Sequence, residues 1–214
     1  MIDNEIFLFG NSASYYTPSG KSYSELLIDH YKDKIVGGVH FSAMTIWHVL
    51  KYYRHHIRGE GCWVIIHVGV TEAGTRNAMH FINYWLRHVV AHGNDSFYDL
   101  MIQPKMFQCA EEIDRGEINY HPIIDADGWS FLYGKVLAAL LPGFRVIVVG
   151  LNNPKVPEWR VRACTEYTLI LKNLTEKHGA HYIDVFNRCE SCDEFHMGPL
   201  GHQIVFEDIR GKIG

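Results

Sequence analysis

The chain has 214 residues, 47% apolar and 21% charged, the balance of a globular protein with one core; disordered, collagen-like and coiled-coil readings are excluded. Twenty Lys and Arg against 24 Asp and Glu give a formal charge of -4 without a basic tract, which excludes a nucleic-acid binder that coats phosphates. Fourteen histidines make the net charge sensitive to mild acid without naming a function.

The first residues, Met1 to Glu5, begin with acids and lead into four apolar residues, so they lack the basic region and long apolar stretch of a secretory signal. No apolar run approaches the roughly 18 residues of a membrane span. Five cysteines, an odd number, fit reduced thiols better than a disulfide framework. The expectation is a cytoplasmic protein with no membrane or nucleic-acid partner. Without an internal repeat or a Pro/Gly-rich linker, residues 1–214 read as a single domain.

Ile6 to Phe9 is a buried-strand candidate, and Ser22-Tyr23-Ser24-Glu25 has the form of a capping box opening a helix through about Tyr31. Ile35-Val36 is a second short strand ended by Gly37-Gly38, after which Phe41, Met44, Thr45, His48 and Val49 keep helical spacing. Trp63 to Val68 has the continuous hydrophobicity of a strand covered on both faces. The stretches 77–92 and 96–115 read as helices. Phe144 to Gly150 is the clearest strand, and a helix from Trp159 to His178 carries Cys164, Tyr167, Leu171 and Leu174 on one stripe before Gly179. A last strand, His181 to Val185, precedes a polar loop and a helix from about Pro199. Strands alternating with helices long enough to cross over imply a three-layer α/β/α sandwich on a parallel five-stranded sheet. Its chemistry belongs in the loops at the carboxyl ends of the strands.

Those loops hold Gly10-Asn11-Ser12-Ala13-Ser14 after the first strand, Gly37-Gly38 after the second, and Gly69-Val70-Thr71-Glu72 after the third. A serine just past a strand-ending glycine can open a turn with its hydroxyl exposed and its N–H aimed at a substrate oxygen; equally, Gly-Asn-Ser is common turn chemistry. Near the C-terminus stands Asp193-Glu194-Phe195-His196. An acid and an imidazole three apart on one turn supply the base that a serine nucleophile needs and the anion that fixes its tautomer. Taken alone, the same four residues also describe a solvated loop that caps the final helix.

In this order and placement the four pieces resemble the SGNH (GDSL-type) hydrolase family, over about Ile6 to Ile209. The resemblance implies a flavodoxin-like sandwich, the SGNH hydrolase fold, with no cofactor. Position by position it implies Ser12 as nucleophile, His196 as general base and Asp193 as the acid that orients it. It implies an oxyanion hole from the N–H groups of Ser12 and Gly38, with Gly37 as the alternative alignment, and from Thr71. The family usually has Asn at the position of Thr71, whose hydroxyl reaches less far; losing one oxyanion donor costs about 100- to 1,000-fold in rate. Asn11 stands where the family often has Asp. The segment 69–76 is also similar to a variant third block that implies Glu72 and Arg76 as an ion pair or as contacts to an anionic part of the substrate. An exposed pair of that kind contributes well under about 1 kcal/mol.

A rival constellation shares His196. Cys189-x-x-Cys192 with His196 and His202 has ligand types and spacing that zinc accepts, and a histidine on a metal cannot take a proton from Ser12. No Walker loop or Gly-x-Gly-x-x-Gly occurs, so a nucleotide cofactor has no support. The reading with the most behind it is a serine esterase acting on a small acyl ester, an acetyl group on a sugar or other metabolite being what the resemblance suggests. An acyltransferase using the same acyl-enzyme and a non-catalytic binding module are the alternatives. Residues 94–129 are the expected source of substrate walls. Chain length of the acyl group and oligomeric state are not encoded in any motif.

Overall fold

A computed structural model of the chain describes residues 5–34, 36–40, 44–57, 61–70, 72–73, 125–155, 158–193 and 196–214. Five strands, β1 (Ile6–Gly10), β2 (Val36–His40), β3 (Trp63–His67), β4 (Arg145–Val149) and β5 (His181–Ile183), form one sheet in the order β2-β1-β3-β4-β5. Every pairing is parallel. The described helices are α1 (Ser12–Tyr15), α2 (Tyr23–His30), α3 (Ile46–His56), α4 (Ala126–Leu140), α5 (Glu158–His178) and α6 (Pro199–Ile213).

Alternation along the strands divides the core into two layers. Ile6, Leu8, Trp63, Ile65, Ile147 and Val149 pack with Tyr23 and Leu27 of α2 and Val205, Phe206 and Ile209 of α6. Their neighbours Phe9, Val64, Ile66, Val146 and Val148 turn the other way, onto α3, α4 and α5. All five residues of β3 are buried, which explains why Trp63 to Ile66 are apolar without a break. This is the expected three-layer flavodoxin-like α/β/α sandwich. The order switches direction between β1 and β3, and loops that leave such a point diverge and open a crevice.

Several elements form for the reasons read from the sequence. The Ser22 side chain accepts from Glu25 N and the Glu25 carboxylate accepts from Ser22 N at 2.8 Å, a reciprocal box that starts α2. In α5, Cys164, Tyr167 and Leu171 are buried on one stripe. The second strand differs from expectation. Rather than ending at Gly37-Gly38, it runs through both to His40, with Gly37 level with Phe7 and Gly38 level with Leu8. Gly38 is needed for close approach inside the sheet: a Cβ there would lie 2.8 Å from the Leu8 carbonyl oxygen. Correspondingly α3 starts at Ile46 behind Thr45, later than the spacing from Phe41 suggested. Helix α4 was not expected at all. It opens behind Asp125, whose carboxylate accepts from Gly128 N at 2.7 Å as an N-cap. The segments 77–92 and 96–115 lie outside the described residues, as does the wall region as far as 124. Among the described residues, no helix is long and apolar enough to cross a membrane.

Candidate active site

The turn after β1 is built by Asn11 and Gly10. Asn11 is buried, its N–H donates to the His67 carbonyl at 3.2 Å, and its side-chain oxygen accepts from Ala13 N at 3.1 Å. Asn caps a helix as well as Asp does, so the departure at position 11 leaves the local geometry intact. Ser14 folds back beneath the turn, its hydroxyl donating to the Asn11 carbonyl at 2.8 Å. A Cβ on Gly10 would lie 2.1 Å from Ser14 Oγ, which is why glycine ends this strand. Ser12 is thereby placed as the first residue of α1, partly exposed, at the carboxyl end of the sheet. Its hydroxyl makes no hydrogen bond among the described residues.

Asp193 and His196 meet as a pair. His196 Nδ1 lies 2.9 Å from Asp193 Oδ2, and Asp193 Oδ1 accepts the His196 backbone N–H at 2.8 Å. An ionised carboxylate only accepts, so Nδ1 carries the proton and the lone pair resides on Nε2, the tautomer a general base needs. The side chain of His196 is largely covered while that of Asp193 is about half open to solvent. The loop is fixed by the Ser191–Met197 bridge and by Cys192 N–H donating to the His196 carbonyl at 2.8 Å. Ser191 Oγ also donates to the Asn153 carbonyl at 2.5 Å, tying the loop to the end of β4.

The two ends of the chain converge at α1. Tyr16, its C-cap, lays its ring 4.4 Å from the His196 ring, centroid to centroid, while its N–H donates to the Ser12 carbonyl at 2.8 Å. On the far side, the ring of Tyr15 stands edge-on to His40 at 6.1 Å, at the mouth of β2. Burial lowers the pKa of His40. Of the other expected site residues, one is placed away from the strand ends and two are not among the described residues. Gly38 lies inside β2, two residues short of the strand end that is level with Gly10, so its N–H is not at the mouth where an oxyanion would form. Thr71 and Arg76 are outside the described residues.

Glu72 is a correction of another kind. Instead of sitting in an exposed ion pair or facing substrate, it is fully buried, and its Oε1 accepts the Ile46 N–H at 2.6 Å, capping α3. Burial pushes its carboxyl up to about pKa 7, opposed chiefly by the hydrogen bond from Ile46.

The zinc constellation does not assemble. Cys189 Sγ is turned to the Gly201 carbonyl, and Cys192 Sγ to the carbonyls of His196 and Met197. Both ring nitrogens of His202 are engaged by backbone. Among the described residues, no group of three or more His, Cys, Asp or Glu is placed to hold a metal ion. No disulfide joins Cys62, Cys164, Cys189 or Cys192 to one another.

The sequence reading passed over His67 and Tyr23. His67 ends β3 fully buried, with its Nδ1 3.0 Å from the Tyr23 hydroxyl. The visible signal was a polar residue closing an otherwise apolar strand.

No family model matches the chain, and no curated protein matches it. Solved structures do. The chain is similar to an acetyl xylan esterase, AlAXEase, with a TM-score of 0.63 at 13% identity over 98% of this chain and 100% of that one. It is similar to a catalytic mutant of Axe2, an acetylxylan esterase from Geobacillus stearothermophilus in which a serine is replaced by alanine, with a TM-score of 0.58 at 12% identity over 99% and 94%. A third is LAE5, an alpha/beta hydrolase enzyme from the metagenome of Lake Arreo, Spain, with a TM-score of 0.59 at 14% identity over 99% and 95%. The fold is the one these enzymes share, over nearly the whole chain, and it agrees with the SGNH hydrolase fold that the sequence resemblance implied.

Proposed function

We propose that the protein is a serine esterase that removes a small acyl group, an acetyl on a sugar or other metabolite, through an acyl-enzyme on Ser12. The observation that carries this is the convergence at α1: the Asp193–His196 pair at 2.9 Å, packed through the Tyr16 ring against the turn that begins with Ser12. Acetyl xylan esterases among the structural neighbours supply the substrate class, and the Axe2 variant described as a catalytic mutant supports a serine as the reacting group.

In the proposed reaction, His196 Nε2 takes the Ser12 proton as Oγ attacks the ester carbonyl. Asp193 holds the ring in the required tautomer and stabilises the imidazolium. The negative charge that develops on the carbonyl oxygen is met by the Ser12 N–H at the start of α1. The imidazolium then protonates the leaving alcohol. Water, deprotonated by the same nitrogen, attacks the acyl-enzyme, and free acid and Ser12 are regenerated. No step uses a metal or cofactor.

Turnover of p-nitrophenyl acetate tests the reading. Acetate release is expected from the wild type and is expected to fall on the order of 10³-fold or more in Ser12→Ala and His196→Ala. Turnover that yields an acetylated alcohol in place of acetate, when sugars or glycerol are added, would assign the protein as an acyltransferase. Unchanged rates in both variants would remove the catalytic reading.

A further inference from the structure

His202 lies in the first turn of α6, just beyond the dyad loop, and has no exposed surface. Its two nitrogens have opposite duties. Nδ1 accepts the backbone N–H of Tyr23, the first residue of α2, at 3.2 Å, whereas Nε2 stands 2.9 Å from the Tyr16 carbonyl, which can only accept. Both bonds are satisfied together by one species, the neutral ring protonated on Nε2. Burial favours that neutral form. The Tyr23 ring lies 5.8 Å from the His202 ring and 5.7 Å from that of His67, so the imidazole is slotted between elements that are themselves fixed to the sheet.

Tyr16 is the residue held by this contact, and it touches the backbone of Ser12 and the ring of His196. Its N–H is bonded to the Ser12 carbonyl and its ring packs on His196. The start of α6 is in turn clamped to the dyad loop: His202 N–H donates to Gly198 O at 3.1 Å, and a Cβ on Gly201 would stand 3.1 Å from Met197 Cβ. The nucleophile turn thus hangs from the same helix start that follows the base.

Resting on the reading of Ser12 and His196 as nucleophile and base, we infer that His202 is a positioning residue that sets their separation, through its Nε2–H bond to the Tyr16 carbonyl. It touches neither reacting atom. Its two bonds can be separated by two substitutions. In His202→Gln the amide nitrogen reaches the position of Nε2 and still donates to Tyr16. In His202→Asn the amide oxygen occupies the position of Nδ1 and still accepts from Tyr23, but nothing reaches Tyr16.

The test is the rate of Ser12 labelling by a fluorophosphonate, with kcat and KM for p-nitrophenyl acetate and thermal midpoints for all three proteins. His202→Gln is expected to hold labelling and kcat within about threefold of wild type. His202→Asn is expected to lose about 10- to 100-fold in both, at unchanged KM and at a thermal midpoint matching that of the Gln variant, as loss of alignment requires. Equal rates in the two variants, or losses that simply follow the thermal midpoints, would overturn the positioning role while leaving the esterase reading in place. Failure of the wild type to label would instead remove that reading, and this role with it. Should neither variant fold, long-range nitrogen NMR of the wild type decides: a proton on Nε2 and none on Nδ1 at pH 7 supports the clamp, and any other protonation state overturns it.

Discussion

His67 and Glu72 both sit fully buried at the end of β3 or just past it, and desolvation acts on them in opposite senses. For His67 the burial of the ring, with a smaller contribution from His202, pushes the pKa down to about 3. For Glu72 burial pushes the carboxyl up to about 7. One principle, the cost of placing charge in a low-dielectric interior, favours the neutral form of both groups and gives the fold one limit on the acid side and one on the alkaline side. They differ in how they are supported. His67 stands in a column where the Tyr23 hydroxyl meets its Nδ1 and both nitrogens of His202 meet backbone groups, whereas the short bond that Glu72 accepts comes from the start of α3.

The acid limit is the larger. An imidazole held neutral in the fold and free to protonate when unfolded lends stability above pH 6.5 that drains away as the pH falls toward 3. For His67 that amounts to about 5 kcal/mol. Because Glu72 acts in the opposite sense over the same range, the His67 share is read by difference: in urea unfolding from pH 7 to 4, the stability of the wild type relative to His67→Gln is expected to fall with the pH, and a constant difference would break the comparison.

The alkaline limit works with the other sign. Glu72 is protonated in both states below its unfolded pKa near 4.5, and only the unfolded chain ionises between there and about 7. The contribution of Glu72 is therefore full below pH 4.5 and falls by about 3 kcal/mol as the pH rises through 7. In Glu72→Gln, which keeps an oxygen to accept from Ile46, that loss is expected to disappear. A stability difference between wild type and Glu72→Gln that stays constant from pH 5 to 8 would show that Glu72 does not titrate there.

Smaller effects sharpen the contrast between these buried supports and the open dyad. Ser22→Ala breaks the capping box of α2 and is expected to cost about 1 kcal/mol in thermal or urea unfolding, with little change of slope against pH. Asp193→Asn is expected to change stability least, within about 0.5 kcal/mol, because the carboxylate is half open to solvent. In turnover it is expected to lose about 10³- to 10⁴-fold, since an amide holds the wrong imidazole tautomer. A large stability loss with little kinetic loss would recast Asp193 as a structural cap.

The sheet was legible because β1, β3 and β4 are short apolar runs separated by helices, a pattern with few alternative folds. What the chain does not announce is close approach. Gly37 and Gly38 look like strand-ending residues, yet Gly38 sits inside β2 because the Leu8 carbonyl leaves no space for a side chain. Helix α4 went unread, although Trp129, Tyr133, Val136, Leu137 and Leu140 were spaced to line one buried face. At the site, the Asp193–His196 pair is local and was readable from three residues of spacing. The contacts of Glu72 with Ile46 and of His202 with Tyr16 and Tyr23 join distant parts of the chain, so no local pattern carries them.

The assignment of Ser12 is tested most directly by mass spectrometry of the protein and its Ser12 peptide after exposure to a fluorophosphonate. A single adduct on Ser12, absent from Ser12→Ala and strongly reduced in His196→Ala, is the expected result. An unmodified serine in the folded wild-type protein, under conditions that label a known serine esterase, would contradict it.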